Sequence, residues 1–492
     1  MMTPTDEQTA AADAFHAGYH LALQAGAGTG KTSTLALLAH ATKLRGRYLA
    51  YNRAIAQEAR TRFPPNVQPK TAHGLAYAAV GHRYTQRLNA PRRPAWQTGQ
   101  ALGLTKPLRI GERVLSPKTL SYAMLRTVSR FCHSADTDIT DHHVPYLRGL
   151  EDHDLHRQLA QHIVPFATKA WADLRHPDEG KVRFDHDHYL KIWALTDPKI
   201  DADFLLLDEA QDTNPVVEQI FLAQRGHAQL VMVGDSAQAI YEWRGAKDVM
   251  TGFDGTCLAL SQSFRFGPPL AEEANRWLAI TEAPIRLTGT PTVPTELGPL
   301  TQPDALLCRT NVGAMTQVMN LLAAGHRVAL VGGGDSLRTL ALAARDLKEG
   351  RRTGHPELVL FASWGDLQDY AAHDPAGRDL QPLVDLVDTH GTHAIVTAIA
   401  HLVPENRAGV TVSTAHRAKG REWPRVKIAD DFTPPNDSDQ QDATGRPVPR
   451  PIDNAEARLA YVAVTRARHR LDIGGLSWIH DHPEGTPAPQ RS

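Results

Sequence analysis

Eight consecutive residues, Ala25-Gly26-Ala27-Gly28-Thr29-Gly30-Lys31-Thr32, join small, backbone-permissive residues to one cation and one hydroxyl. Such a run suits phosphate, because successive N–H groups can curl around an anion and a following helix adds its dipole. Lys31 can reach the β- and γ-phosphates of a nucleotide, and the Thr32 hydroxyl can ligate Mg²⁺. Ala25 replaces the first glycine of the general pattern, a tolerable change. A second group, Asp208-Glu209-Ala210-Gln211-Asp212, supplies carboxylates. There Asp208 can hold the magnesium shell, and Glu209 can orient or deprotonate an attacking water. An acidic run alone reads as a solvated loop; joined to the Lys31 loop it points to nucleotide hydrolysis. Gln238 is a polar group suited to sensing a γ-phosphate.

These groups need elements to hold them. The apolar segment His20-Leu21-Ala22-Leu23-Gln24 reads as a short buried strand that enters the glycine-rich loop, and Leu35-Ala36-Leu37-Leu38-Ala39 continues as a helix. Strand, loop and helix in that order are the context a phosphate-binding loop requires. Phe204-Leu205-Leu206-Leu207 predicts a second strand ending in Asp208, and Gln229-Leu230-Val231-Met232-Val233 a third leading to Gln238. Carboxylates at the C-terminal ends of buried parallel strands sit at the ligand edge of the sheet. Tyr241, Trp243 and Arg244 follow, and aromatic faces beside an arginine make a stacking platform for unpaired bases. The alternative is that both rings belong to the core.

The totals set bounds on the rest. A chain of 492 residues is too long for one ordinary core, so several domains are expected. Hydrophobic residues at 42% and charged residues at 22% are the composition of a soluble globular protein. With a formal net charge of -1, any basic surface must be local. The three cysteines, Cys132, Cys257 and Cys308, lie far apart, which disfavours a disulfide framework and a zinc ribbon and fits a cytoplasmic, reducing setting. No apolar run approaches the roughly 20 residues that span a bilayer, and the polar N-terminus does not read as a signal peptide. Among the 25 histidines, the Asp-His-Asp-His run at 185–188 is the strongest metal candidate. It has no convincing partner ligand nearby in sequence and reads instead as a polar turn before a helix.

At this point the chain resembles the UvrD/Rep/PcrA group of superfamily 1 DNA helicases, with motifs in the family order from about residue 4 to 475. Gln8 matches the glutamine that reads adenine ahead of the phosphate loop. Tyr51-Asn52-Arg53-Ala54 and Thr71-Ala72-His73-Gly74-Leu75 match two DNA-contacting motifs. In Gln262-Ser263-Phe264-Arg265 the resemblance implies that Phe264 stacks on adenine and Arg265 touches the γ-phosphate. Ser413-Thr414-Ala415-His416-Arg417-Ala418-Lys419-Gly420-Arg421-Glu422 matches the motif coupling DNA to nucleotide, with His416 and Lys419 toward DNA and Glu422 near the sugar and phosphates. Arg458-Leu459-Ala460-Tyr461-Val462-Ala463-Val464-Thr465-Arg466-Ala467 matches the last motif, making Arg466 the second arginine finger. Within the group the chain is most similar to the helicase part of the F-box DNA helicases and their bacterial and phage relatives. That likeness rests on Phe131-Cys132-His133-Ser134-Ala135-Asp136, His143-Val144-Pro145, His188-Tyr189-Leu190-Lys191-Ile192-Trp193 and Ser261-Gln262-Ser263-Phe264-Arg265-Phe266-Gly267. No F-box is expected ahead of the motifs, because the chain opens almost directly on Gln8.

The resemblance implies an α/β fold of two RecA-like P-loop domains with ATP and Mg²⁺ in the cleft, each domain carrying a mainly helical insertion. Residues 1–83 and 200–255 are expected to form the first domain, and 84–199 its insertion. Residues 256–335 and 405–492 are expected to form the second domain, and 336–404 its insertion. Thr32 and Asp208 are the expected Mg²⁺ ligands. Lys31, Asp208, Glu209, Gln238, Arg265 and Arg466 are the expected catalytic set. Two departures bear on the site. Ser33 stands where relatives often carry an arginine packing on adenine, leaving the base with Phe264 and one weaker face. Ala50 stands where several carry an aromatic, so Tyr51 is expected to take over stacking.

The insertions differ in charge. Residues 81–134 hold ten Lys/Arg against Glu112 alone, and residues 353–405 hold eight Asp/Glu against Arg378 alone. The basic stretch reads either as a solvated face or as a phosphate contact. The acidic stretch is not expected to grip DNA by charge. Residues 434–454, rich in Pro, Asp and Gln, read as a surface loop. The resemblance implies an ATP-driven 3′→5′ translocase and helicase on single-stranded DNA and single-/double-strand junctions, monomeric, in a bacterial or phage-infected cytoplasm, serving repair, recombination or replication. Its alternatives are a translocase that strips proteins such as recombinase filaments from DNA with weak unwinding, and an inactive DNA-binding module. Intact Lys31, Glu209, Gln238, Arg265 and Arg466 argue against the last.

Overall fold

The computed structural model describes residues 3–90, 95–147, 149–240, 250, 252–355, 357–359, 361–373, 380–441 and 447–485. Two compact units emerge: Met1–Ala25 with Lys31–Leu260, and Gly26–Gly30 with Ser261–Ser492. The phosphate-loop residues thus group with the second unit although β1 and the helix that flank them belong to the first.

The first unit is built on six parallel strands: β1 (Leu21–Ala25), β2 (Gly46–Ala50), β3 (Val67–Thr71), β4 (Phe204–Leu207), β5 (Gln229–Gly234) and β6 (Thr256–Leu260). Their order is β3-β2-β4-β5-β1-β6. Every residue of β4 is buried, as an interior parallel strand covered on both faces requires. β3 alternates in burial and contains Pro69, which an edge strand tolerates because one row of N–H groups lacks a partner. β6 pairs in register with β1 from Leu21↔Thr256 to Ala25↔Leu260. The expected boundary at 255 therefore moves to Leu260: Thr256–Leu260 completes the first sheet and does not open the second domain.

The segment 84–199 is mainly helical, with helices Ala95–Leu102, Pro117–Cys132, His153–Leu174 and His186–Ala194 and a small antiparallel pair, Leu108–Ile110 with Arg113–Leu115. Helix Pro117–Cys132 starts where the Ser116 hydroxyl accepts the Thr119 N–H and a proline occupies the first turn. Leu120, Ala123, Met124, Thr127, Val128 and Phe131 bury one stripe of it at helical spacing. This stripe joins a core that runs from Ala22, Leu49 and Leu205 of the sheet to Leu159 and Trp193 of the insertion.

The second unit holds another six-stranded parallel sheet: β7 (Glu296–Leu297), β8 (Ala305–Cys308), β9 (Val328–Leu330), β10 (Val410–Thr414), β11 (Trp423–Ile428) and β12 (Ala467–Asp472). Its order is β7-β12-β11-β8-β10-β9. The acidic insertion contributes helices Trp364–His373 and Gln381–Ala400, the latter broken at Gly391, whose φ is +74°. Leu358, Trp364, Leu367, Val387 and Ile395 share a core with Leu306, Val328 and Val412 of the sheet, so this insertion is part of the second unit's packing. Residues 434–454, expected as a loop, contain an antiparallel pair, Asp437–Gln441 with Pro447–Pro449. Composition alone suggested a loop there, but backbone groups of two extended segments pair whatever side chains they carry. Among the described residues no helix is long and apolar enough to cross a membrane.

Candidate nucleotide-hydrolysis site

Within the first unit, the ends of β1, β2, β4 and β5 carry four of the expected residues, Lys31, Asp208, Glu209 and Gln238. Helix Lys31–His40 begins at Lys31. The Thr32 hydroxyl donates to Asp208 Oδ2 at 2.7 Å. The same carboxylate oxygen accepts the Tyr48 hydroxyl at 2.6 Å. Burial, and next the neighbouring Glu209 charge, push the Asp208 carboxyl up from its usual range, while the Tyr48 and Thr32 hydroxyls and Lys31 oppose them. Burial and the two carboxylates push the Tyr48 phenol upward, so it stays a donor. A hydroxyl and a carboxylate sharing one point form an oxygen-only donor set of the kind Mg²⁺ takes. The residues present fit that ion.

Glu209 adopts a left-handed backbone, φ +52°, rare for a residue with a side chain. Its N–H donates to Asp208 Oδ1 at 2.9 Å, and its Oε2 accepts the Gln211 amide at 2.6 Å. Gln211 is fully buried and its Oε1 accepts the Asp235 N–H at 2.9 Å, while Gln238 donates to Asp235 Oδ2 at 2.6 Å. A continuous chain of bonds thus runs from Glu209 through Gln211 and Asp235 to Gln238, across the ends of β4 and β5. Gln8 is also buried: its carbonyl accepts the Thr5 N–H in a capping box and its amide donates to the Thr34 hydroxyl at 3.0 Å. Ser33 is exposed in the first turn of helix Lys31–His40.

Within the second unit, Thr29 Oγ1 donates to the Gly26 carbonyl at 3.0 Å and so tightens the loop. Gly28 has φ +77°, and a Cβ there would stand 2.5 Å from Ser263 Oγ and 2.6 Å from Arg265 Cβ, so only glycine fits. The Phe264 N–H donates to the Gly28 carbonyl at 2.9 Å, and the Ala27 N–H to the Tyr461 hydroxyl at 3.0 Å. Arg265 pairs with Glu422 at 2.7 Å and donates to the Thr465 carbonyl at 2.9 Å. Arg466 is only 1% exposed and donates to the carbonyls of Val462 and Arg421 and to the Thr465 hydroxyl.

This arrangement can be set beside known proteins. Residues 192–252 match the UvrD/REP helicase N-terminal domain, and residues 392–477 match the UvrD-like helicase C-terminal domain. The chain carries UvrD-like helicase domains. It is homologous to the F-box DNA helicases: 28% identical over 92% of its length to F-box DNA helicase protein 1 of Schizosaccharomyces pombe, and 29% over 92% to F-box DNA helicase 1 of Gallus gallus. The matches take in 55% and 47% of those relatives, so the chain spans about half their length. ATP-dependent DNA helicase UvrD2 of Mycobacterium tuberculosis is 26% identical over 57% of the chain and 48% of its own length.

The strand-contact candidates of this UvrD-like chain fall into three sets. Tyr51 is half exposed at the end of β2, and Asn52 and Thr71 cap helices Arg53–Arg62 and Ala72–Ala79 by accepting the Ile55 and Gly74 N–H groups. Arg53 opens the first of these helices and is exposed, whereas His73 meets Asp187 at 2.9 Å. In the second unit His416 lies in the short helix Ala415–Ala418 and Lys419 follows it. Tyr241, Trp243 and Arg244 lie outside the described residues. The run at 185–188 starts helix His186–Ala194, Asp185 accepting two N–H groups of its first turn. Among the described residues Asp136, His142 and His143 bring three ligand atoms within 4.8 Å of one another. His143 Nδ1, however, accepts the Thr140 N–H at 3.1 Å, so its proton sits on Nε2, which faces Asp136 at 3.0 Å. A nitrogen carrying a proton toward a carboxylate is not a metal ligand, and this cluster reads as a hydrogen-bonded corner.

Tyr48, Gln211, Asp235 and Tyr461 are the contributors that the sequence reading passed over. Gln211 and Asp235 had a signal, each being a polar residue just beyond a buried strand. Tyr48 had none, since an aromatic in an apolar strand reads as core.

Proposed function

We propose that this chain hydrolyses ATP and uses the cycle to move 3′→5′ along single-stranded DNA and to part duplex strands at junctions, as a monomer serving DNA repair or recombination. The observation that carries the reading is the Thr32–Asp208 contact with Glu209 held beside it by Gln211. In this reading Lys31 holds the β- and γ-phosphates, and Thr32 and Asp208 hold Mg²⁺. A cation bound there would offset negative charge on the transferred phosphoryl oxygens. Glu209 orients the attacking water and takes its proton, Gln238 senses the γ-phosphate, and Arg265 and Arg466 stabilise the developing charge. Gln8 and Phe264 contact adenine, and Glu422 lies toward the sugar. Tyr51, Asn52, Arg53, Thr71, His73, Tyr241, Trp243, Arg244, His416 and Lys419 contact the strand.

The deciding experiment is strand displacement on 3′-tailed, 5′-tailed and forked substrates, with ATPase measured alongside. Displacement confined to 3′-tailed and forked substrates is expected. DNA-independent ATP turnover, or displacement from the 5′ tail alone, would refute it. The short acidic insertion, built into the core of the second unit, favours a second reading: protein removal from DNA with weak unwinding. Fast ATP-dependent clearance of a protein-coated oligonucleotide beside slow strand displacement would select it.

A further inference from the structure

Three stretches far apart in the sequence meet at one carboxylate. Asp187, in the first turn of helix His186–Ala194, receives His73 Nε2 on Oδ1 at 2.9 Å and His133 Nε2 on Oδ2 at 2.9 Å. His73 sits in the first turn of helix Ala72–Ala79, directly after β3, and His133 caps the C-terminus of helix Pro117–Cys132. Four residues on from Asp187, on the same face, Lys191 donates to the carbonyls of Ser134 and Asp136 at 2.7 and 2.5 Å. Between them Tyr189 packs edge-on against His73 and Tyr77, with ring centroids 6.1 and 5.8 Å apart. One short helix therefore ties the strand-following helix to the end of the long insertion helix.

The chemistry at Asp187 is specific. The two imidazole protons hold its carboxyl well below the usual carboxylate range, so at neutral pH it is ionised and can only accept. Each histidine must then place a proton on Nε2. That choice fixes the ring plane and leaves Nδ1 as the nitrogen able to meet a ligand. The His73 and His133 side chains remain about one-third exposed, so part of each ring faces solvent. A carboxylate bridging two fully buried histidines would be a packing device; here the rings stay open to solvent.

We propose that Asp187 is a positioning residue that sets the proton and the ring plane of His73, and through His133 joins that strand contact to the insertion. The inference rests on the assignment of His73 to the single-stranded DNA contact. The bridge orients one histidine for the nucleic acid strand, and the other histidine makes its orientation depend on where helix Pro117–Cys132 ends.

The test is a double-mutant cycle in the full chain, read as affinity for a labelled oligothymidylate, with thermal unfolding followed for each variant. His73→Ala and Asp187→Ala are each expected to weaken binding about five- to tenfold. The double variant should be no weaker than either single one, because residues acting as one unit are not additive. Asp187→Asn is isosteric, and its amide can donate to an imidazole nitrogen. It should weaken binding and also move the proton of one histidine to Nδ1, visible in the imidazole ¹⁵N shifts assigned with His73→Ala and His133→Ala. Should Asp187→Ala fail to fold, Asp187→Asn carries the same cycle. Wild-type affinity for both Asp187 variants beside a weakened His73→Ala, or fully additive losses, would overturn the positioning role alone. Unchanged binding by His73→Ala would overturn the strand assignment beneath it.

Discussion

In the first unit the strand ends gather acids, Asp208, Glu209 and Asp235, whereas the second unit gathers arginines, Arg265 and Arg466. The means of holding them differ as much as the charges. Asp208 is fixed by the hydroxyls of Tyr48 and Thr32, while the Glu209 carboxylate accepts the Gln211 amide and the Asp235 carboxylate the Gln238 amide. Arg466 is fixed by two carbonyls and a hydroxyl, while Arg265 is paired with the carboxylate of Glu422. Neutral partners fix geometry and leave the charge for a ligand to meet; a charged partner spends part of it. By that rule Asp208 keeps its charge for a cation, whereas Arg265 spends part of its charge on Glu422.

The largest effects should fall on the acid side of this comparison. Lys31→Ala is expected to abolish DNA-stimulated ATPase, and Glu209→Gln to bind ATP yet turn it over on the order of 10³-fold more slowly. A nucleotide-binding assay beside steady-state turnover checks both, and near-wild-type turnover in either would dissolve the site. Next comes the arginine side. Arg466→Ala should cost on the order of 10³-fold in turnover with little change in single-strand affinity. Because it also removes the buried guanidinium that donates to the Val462 and Arg421 carbonyls and the Thr465 hydroxyl, it should lower stability by about 1–3 kcal/mol. Equal losses in turnover and DNA affinity would place Arg466 in the strand groove instead.

A smaller change sharpens the role of neutral partners. The Tyr48 hydroxyl favours the ionised form of Asp208, so Tyr48→Phe should raise that carboxyl further. More Asp208 is then protonated in mild acid, and the acid limb of the ATPase pH profile should move to higher pH, with turnover lost several-fold near pH 6 and less near pH 8. An unmoved acid limb would show that this hydroxyl only packs. The smallest effects concern the insertions. Replacing the exposed Arg109 and Arg113 by Gln should flatten the log–log salt dependence of DNA binding by about 0.7–0.9 for each phosphate that an arginine had neutralised. Asp366→Asn with Asp369→Asn should leave single-strand binding intact or slightly tighter. A marked loss of affinity from the acidic pair would reverse the charge argument. Arg92 and Arg93 of the basic stretch, and Asp374 and Asp379 of the acidic one, would be expected to add to the same two effects and lie outside the described residues.

Local sequence settled the parts whose chemistry is local. A glycine-rich run between an apolar strand and a helix can form only a few structures, and Asp208 and Gln238 were placed by the buried strands that precede them. Partners that arrive from another strand or helix were not readable in this way. Tyr48 reaches Asp208 because β2 lies next to β4, although the insertion separates them in the chain, and Gln211 reaches Asp235 because β4 lies next to β5. The end of the first unit at Leu260 follows from the pairing of β6 with β1, which composition does not encode. Asp187, which from its neighbours reads as part of a polar turn, gains two histidines 114 and 54 residues away only when three helices pack. Sequence by itself determined which groups could carry phosphate chemistry, since that depends on residue type and a few neighbouring torsions. Which acids are held by hydroxyls, which arginine by a carboxylate and which histidines by Asp187 was decided by tertiary structure, because hydrogen bonds act over about 3 Å whatever the separation along the chain.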